Sequence, residues 1–241
     1  MKPSVTIGWL IATAIAIACL GQFTDADLFL ARLVHGQGEG GFALRHVWWT
    51  EKLGHDYMRR LLILVGVCVV LAAFGDWVRP RMAWSTQLRR TLRVAALSAL
   101  LVPLAVTAAK SASWSHCPWD LIEFGGNEPY VRLFDAVPEF TSAGRCMPAG
   151  HASSALWLIS LALFWLPLQR RKAAAMALAM LAFGLALGAI QQLRGAHFLT
   201  HTLWSAWIAC AVVAIVERRV MRSVDPMAGG QPSTDVGKHA L

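Results

Sequence analysis

Residues 191–207, QQLRGAHFLTHTLWSAW, set three nitrogen-rich side chains at the mouth of an otherwise apolar segment. Arg194, His197 and His201 are three and then four positions apart, so a continuous helix, with about 3.6 residues per turn, carries all three on one face. A cation and two imidazoles suit an anion. Ionisable groups at the edge of an apolar span are costly, and such groups mark function. The alternative is that Arg194 caps the membrane interface while the histidines hydrogen-bond neighbouring helices.

The rest of the chain shares that apolar character. Of its 241 residues, 56% are hydrophobic and only 15% charged, with a mean hydropathy of +0.50; soluble domains carry about 25% charged residues, so the composition is that of a membrane protein. The net charge of +8 comes from short basic runs between apolar segments. That distribution fits cytoplasmic loops, and it lacks the single basic stripe with interleaved aromatics that nucleic-acid binding needs. Many of the eleven tryptophans stand near the ends of apolar segments, where interfacial rings anchor.

Six apolar stretches, at 3–21, 61–78, 94–109, 152–168, 173–190 and 201–217, predict an all-α bundle of six transmembrane helices in one domain, 1–222. In the first, Ala16, Ile17 and Ala18 before Cys19 also fit a signal-peptide cleavage site. The segment 22–60 reads as an external loop with a short interfacial helix around 42–52, and its His35, His46 and His55 share no metal-like spacing, so they are expected to be solvated. Gly184 and Gly188 form a small-xxx-small pair that lets helices approach closely. The polar tail 223–241 is expected to be disordered.

Arg79, Arg81, Arg89, Arg90 and Arg93 form the densest basic cluster, and Arg170, Arg171 and Lys172 a second, so both connectors are expected on the cytoplasmic side with both termini. Arg59 and Arg60 run against this bias. The long polar loop 110–150 then shares the outer face with the turn at Arg194, and a loop of that length is expected to be functional.

Three segments meet on that face: Lys110 ending the third span, Pro148, Ala149, Gly150 and His151 opening the fourth, and Arg194 with His197 and His201 between the fifth and sixth. Lys110 and Arg194 suit phosphate oxygens, Arg by a two-pronged contact and Lys as a point charge. Gly150 stands at a predicted helix start, where unpaired backbone amides favour an anion. Histidines add a nucleophile and a proton donor. These parts are what phosphoryl transfer through a covalent phosphohistidine requires.

In the order and placement of these motifs the chain resembles the type 2 phosphatidic acid phosphatases, a family related to the vanadium haloperoxidases. The family's motifs are Lys followed after six residues by Arg-Pro, then Pro-Ser-Gly-His, then Ser-Arg, five residues, His, three residues, Asp. Here Lys110 is followed after six residues by Cys117 and Pro118, the second motif is Pro148-Ala149-Gly150-His151, and the third puts His197 at the histidine and His201 at the Asp. The resemblance implies that His197 attacks phosphorus, that His151 protonates the leaving group, and that Lys110 with an arginine holds the phosphoryl group, without a metal or other cofactor. Ala149 stands at the serine and Gln191 at the third motif's arginine, so Arg194 is expected to supply the missing guanidinium. The segment CPWDLIEFGGNEPY looks like a divergent branch of the family, in which Cys-Pro-Trp-Asp replaces Arg-Pro. His201 can accept a hydrogen bond from His197 but cannot supply a negative charge; Asp120 and Glu123 are candidates to supply it through space.

Cys117 lies beside the first motif and Cys146 two residues before Pro148. In an oxidising compartment a disulfide between them pins two catalytic segments together; the competing reading is two free thiols. The function this implies is a phosphatase or phosphotransferase of the inner (plasma) membrane with its site on the periplasmic or external face. Its substrate would be a lipid phosphate within the bilayer, such as undecaprenyl diphosphate, lipid A phosphate, or phosphatidylglycerol phosphate and phosphatidate. No protein partner is implied. A degenerate member that only binds an anionic headgroup is the second reading, and a zinc or haem site of His151, His197 and His201 the third.

Overall fold

The computed structural model describes residues 3–36 and 41–222, and every regular element among them is helical. Unbroken apolarity makes α1 (Pro3–Phe23), which stays outside the core and leans on α7 and the short α2 (Ala26–Val34). Next, π-helical turns over Trp49–Tyr57 run without a break into α3 (Met58–Val78). Ser85 starts α4 (Thr86–Ser111), its hydroxyl accepting the Leu88 amide at 3.2 Å, as an N-cap does. A long loop leads to α5 (Gly150–Leu156), prolonged as a 3-10 helix over Trp157–Trp165, and then to α6 (Arg170–Leu193) and α7 (Leu199–Arg222).

α4 is the hub. It packs against α3, α5 with its 3-10 continuation, and α7, and it buries Val94, Ala95, Val102 and Val106. The core closes around α5, whose Ala152, Ala155 and Leu156 have no exposure at all. Two glycines allow this. A side chain on Gly184 would run into Leu156 of α5, and one on Gly188 into Thr202 of α7. The small-residue pair on α6 therefore serves two different neighbours, four residues apart on one face.

Several expectations change. Among the described residues, five helices rather than the expected six are long and apolar enough to cross a bilayer: Val5–Phe23, Trp49–Val78, Thr86–Ser111, Arg170–Leu193 and Leu199–Val220. The stretch expected as the fourth span is the shorter apolar helix Gly150–Trp165, enclosed by the others, so protein rather than lipid sets its length. The second span begins at Trp49 rather than at residue 61, so the helix expected around 42–52 forms only from Trp49 on, and the segment carries a further short helix at Ala26–Val34. The expected disordered tail, 223–241, lies outside the described residues.

Both basic clusters fall at one end of the bundle, where α3 passes to α4 and α6 begins. At the opposite end α4 and α6 finish and α5 and α7 start, which gathers Lys110, His151, Arg194 and His197 there.

Candidate active site

Arg194, His197 and His201 do not share one helix. α6 ends at Leu193 with Arg194 as its C-cap, Gly195 turns the chain at φ +72°, and α7 begins at Leu199. Gly195 is required twice over, since that φ is strained for an L side chain and a Cβ there would strike the ring of Phe42. The break drops His197 into the interior between the two helices.

His197 and His201 meet edge to face, ring centroids 5.8 Å apart, and both are buried. No hydrogen bond joins them. The Nδ1 of His197 lies instead 3.4 Å from the Sγ of Cys146, which is bonded to Cys117. A disulfide sulfur carries no proton, so Nδ1–H is the donor in that contact and the lone pair belongs to Nε2. Burial drives the His197 imidazole well below its ordinary range, with His201, Lys110 and His151 adding to the effect and a hydrogen bond to the Cys146 backbone opposing it. Neither Asp120 nor Glu123 is among the groups acting on it, and Glu123 is paired with Arg32. A buried neutral imidazole is a nucleophile at neutral pH.

His201 is held differently. Its Nε2 is 3.0 Å from the Ser115 hydroxyl, and its carbonyl accepts the Ala149 amide at 3.0 Å. Ser205, one turn on, donates to the Ala149 carbonyl at 2.9 Å. The first turns of α7 thus grip the turn that precedes His151, and the Ala149 amide is engaged there rather than aimed at a ligand. Gly150 opens α5 with nothing within 4 Å of where a Cβ would stand.

Lys110, half-buried at the end of α4, acts electrostatically on His151, His197 and His201 together, and Arg194 acts on His151. The Arg194 guanidinium is buried: Nη1 donates to Gln191 Oε1 at 2.9 Å and Nε to the Arg45 carbonyl at 3.1 Å. It therefore reaches back to the residue that occupies the family's arginine position. Burial lowers the pKa of that guanidinium, Glu51 and Asp56 work the other way, and the nearby Arg45 adds to the lowering.

The disulfide closes a loop with a sequence separation of 29 residues, which on chain-entropy grounds stabilises by about 3–4 kcal/mol. Among the described residues, the side chains with ligand atoms close enough for a metal are Cys117, Cys146 and His197, all within 4.8 Å. A disulfide has no thiolate to offer, and the three histidines do not form such a group. A mostly apolar cavity of about 420 Å³ is walled by Ala109, Trp114, Val131, Met147, Pro148 and Trp204, with Arg132 and Asp135 also in its lining, and it reaches the histidines only through Ser115, the partner of His201.

Some residues packed around the candidate site have no signal in the linear chain. Asp27, buried in α2, accepts the Thr200 amide at 3.0 Å and also the Thr200 hydroxyl, capping α7 from a distant segment. Burial raises its carboxyl above the usual range, against the pull of those donors and of Arg132. Burial, with Asp27 next, likewise raises the Tyr130 phenol. His55, expected to be solvated, packs against His151 with ring centroids 3.7 Å apart.

Compared with known proteins, the chain matches the family model described as PAP2 superfamily over residues 91–224, a stretch that holds all three motifs. Neither a curated protein nor a solved structure matches it.

Proposed function

The chain belongs to the PAP2 superfamily, and from that premise we propose that it is a membrane-embedded phosphatase or phosphotransferase acting on a lipid phosphate through a phosphohistidine. One observation supports the reading: Lys110 acts electrostatically on both His151 and His197, and Arg194 on His151, and all four stand where α4 and α6 finish and α5 and α7 start.

In this reading the Nε2 lone pair of His197 attacks phosphorus, forming the P–N bond as the bond to the leaving oxygen breaks. His151 gives that oxygen a proton. A water then attacks phosphorus, the P–N electrons return to His197, and His151 takes the water's proton. Lys110 and Arg194 offset the charge on the phosphoryl oxygens, with the Gly150 amide at the start of α5 as a further donor. Ala149 contributes through its fixed turn, not its amide. His201, tied to Ser115, holds the second and third motifs in register.

The mostly apolar cavity of about 420 Å³ that Ser115, the partner of His201, helps to line supports a lipid rather than a water-soluble ester. The intact disulfide supports an oxidising compartment on the site's side, hence the external face of the inner membrane. Purified protein assayed against a panel of lipid phosphates tests the proposal, with His197→Ala as the control. Phosphate release that depends on His197 is expected. No release from any of them, with headgroup binding retained, would instead identify a degenerate binder.

A further inference from the structure

The segment Trp49–Tyr57 brings groups to the site that the three motifs do not contain. Gly54 lets it lie close to α6, since an added Cβ would stand 3.0 Å from Ile190. That approach sets the next residue, His55, over His151, with ring centroids 3.7 Å apart and an angle of 35° between the planes. Nδ1 of His55 is 2.8 Å from Oδ1 of Asp56, whose other oxygen is 3.5 Å from Lys52 Nζ. The His55 side chain is 26% exposed, whereas Nε2 of His151 is buried with no hydrogen-bond partner.

We propose that His55 and His151 share one proton, kept on His55 by Asp56 in the free protein and passed to His151 when a phosphate ester binds. The inference rests on the phosphatase reading above. Two imidazoles this close repel each other once both are charged, which favours a single cation on the pair. At rest every charged group facing His151 is basic: Arg59 from the start of α3, Lys110 from α4 and Arg194 from the end of α6, together with the imidazoles of His55 and His197. His55 alone has a carboxylate on its ring. The resting proton therefore belongs on Nε2 of His55, with Nδ1–H donated to Asp56.

An arriving phosphate dianion reverses the sign of the field at His151. The stacked rings cannot hydrogen-bond in plane, so the proton passes from Nε2 of His55 to the His151 ring through a water. From there it goes to the leaving oxygen as the P–O bond breaks. When water attacks the phosphohistidine, its proton returns to His151 and the pair again holds one. His55 acts through His151 and is a positioning residue for the proton.

The test is the pH dependence of kcat/KM for the full chain in detergent micelles, with phosphatidate and, for comparison, p-nitrophenyl phosphate, whose leaving group needs little protonation. His55→Phe keeps a ring against His151 but carries no proton. We expect it to lose at least about tenfold on phosphatidate and far less on the aryl ester. Asp56→Asn should move the basic limb of the profile to lower pH. Wild-type rates and an unchanged profile in His55→Phe, or an equal loss on both esters, overturn the proposal and leave His55 as packing. If His55→Phe does not fold, an unmoved basic limb in Asp56→Asn overturns it alone. Wild-type protein that releases no phosphate, or His197→Ala as active as wild type, sinks the phosphatase reading itself and this inference with it.

Discussion

The sulfur of Cys146 lies 3.4 Å from Nδ1 of His197, so the disulfide to Cys117 forms part of the wall behind the proposed nucleophile. The family's pattern has an acidic residue to orient this histidine. Here His201 occupies that position and turns its Nε2 to Ser115, and the loop that carries Cys146 touches His197 instead.

Breaking that bond should therefore affect both stability and turnover. Cys117→Ser with Cys146→Ser removes about 3–4 kcal/mol of loop-closure stabilisation and frees the segment behind His197. We expect a lower denaturation midpoint and at least about a tenfold drop in phosphate release. Full activity after complete reduction, verified by alkylation of both thiols, would show that the disulfide does not orient the ring.

His197 and His201 should separate cleanly. His197→Ala should abolish turnover and the trapped phosphopeptide alike. His201→Gln, able to keep a hydrogen bond to Ser115, should retain part of the activity and still yield a peptide phosphorylated at His197. Recovery of phosphate on residue 201 from wild-type protein would exchange the two roles.

The pH dependence of stability has a definite sign. His197 is held below its unfolded value of about 6.5, so under that pH the unfolded chain binds the extra proton and the folded state loses ground. That loss is absent above about pH 6.5 and grows by up to about 1.4 kcal/mol for each pH unit below it, until the folded value is reached. Asp27 has the opposite sign: its raised carboxyl makes stability fall as pH rises from about 3.9 to its folded value, so it does not produce an acid loss. Thermal melts between pH 7 and pH 5 should show the midpoint falling with acid, and falling less steeply in His197→Gln. An equal slope in the variant would rule His197 out as the group responsible.

Gly188→Leu should be among the most damaging substitutions away from the site. A side chain there meets Thr202, one residue after His201, so overpacking by about 1–3 kcal/mol is transmitted to the start of α7. The same change at Gly75, where a Cβ meets nothing within 4 Å, is expected to leave melting and activity unchanged. Equal melting midpoints for the two variants would refute the close-approach argument.

The helical membrane character, the positions of Lys110, His151 and His197 at the ends of elements, and the pairing of Cys117 with Cys146 were all legible in the chain. Each depends on local composition or on residue order, and an apolar run becomes a helix in a bilayer because its backbone has no other partner for its hydrogen bonds. Tertiary structure decided the rest. It enclosed the Gly150–Trp165 segment, turned Arg194 toward Gln191, sent His201 to Ser115, set Asp27 over the start of α7, and laid His55 on His151. Those relationships join residues up to 173 positions apart or depend on how one helix rotates against another. Periodicity reports which face of a helix is apolar, but the partner that face meets is selected only when the whole bundle packs.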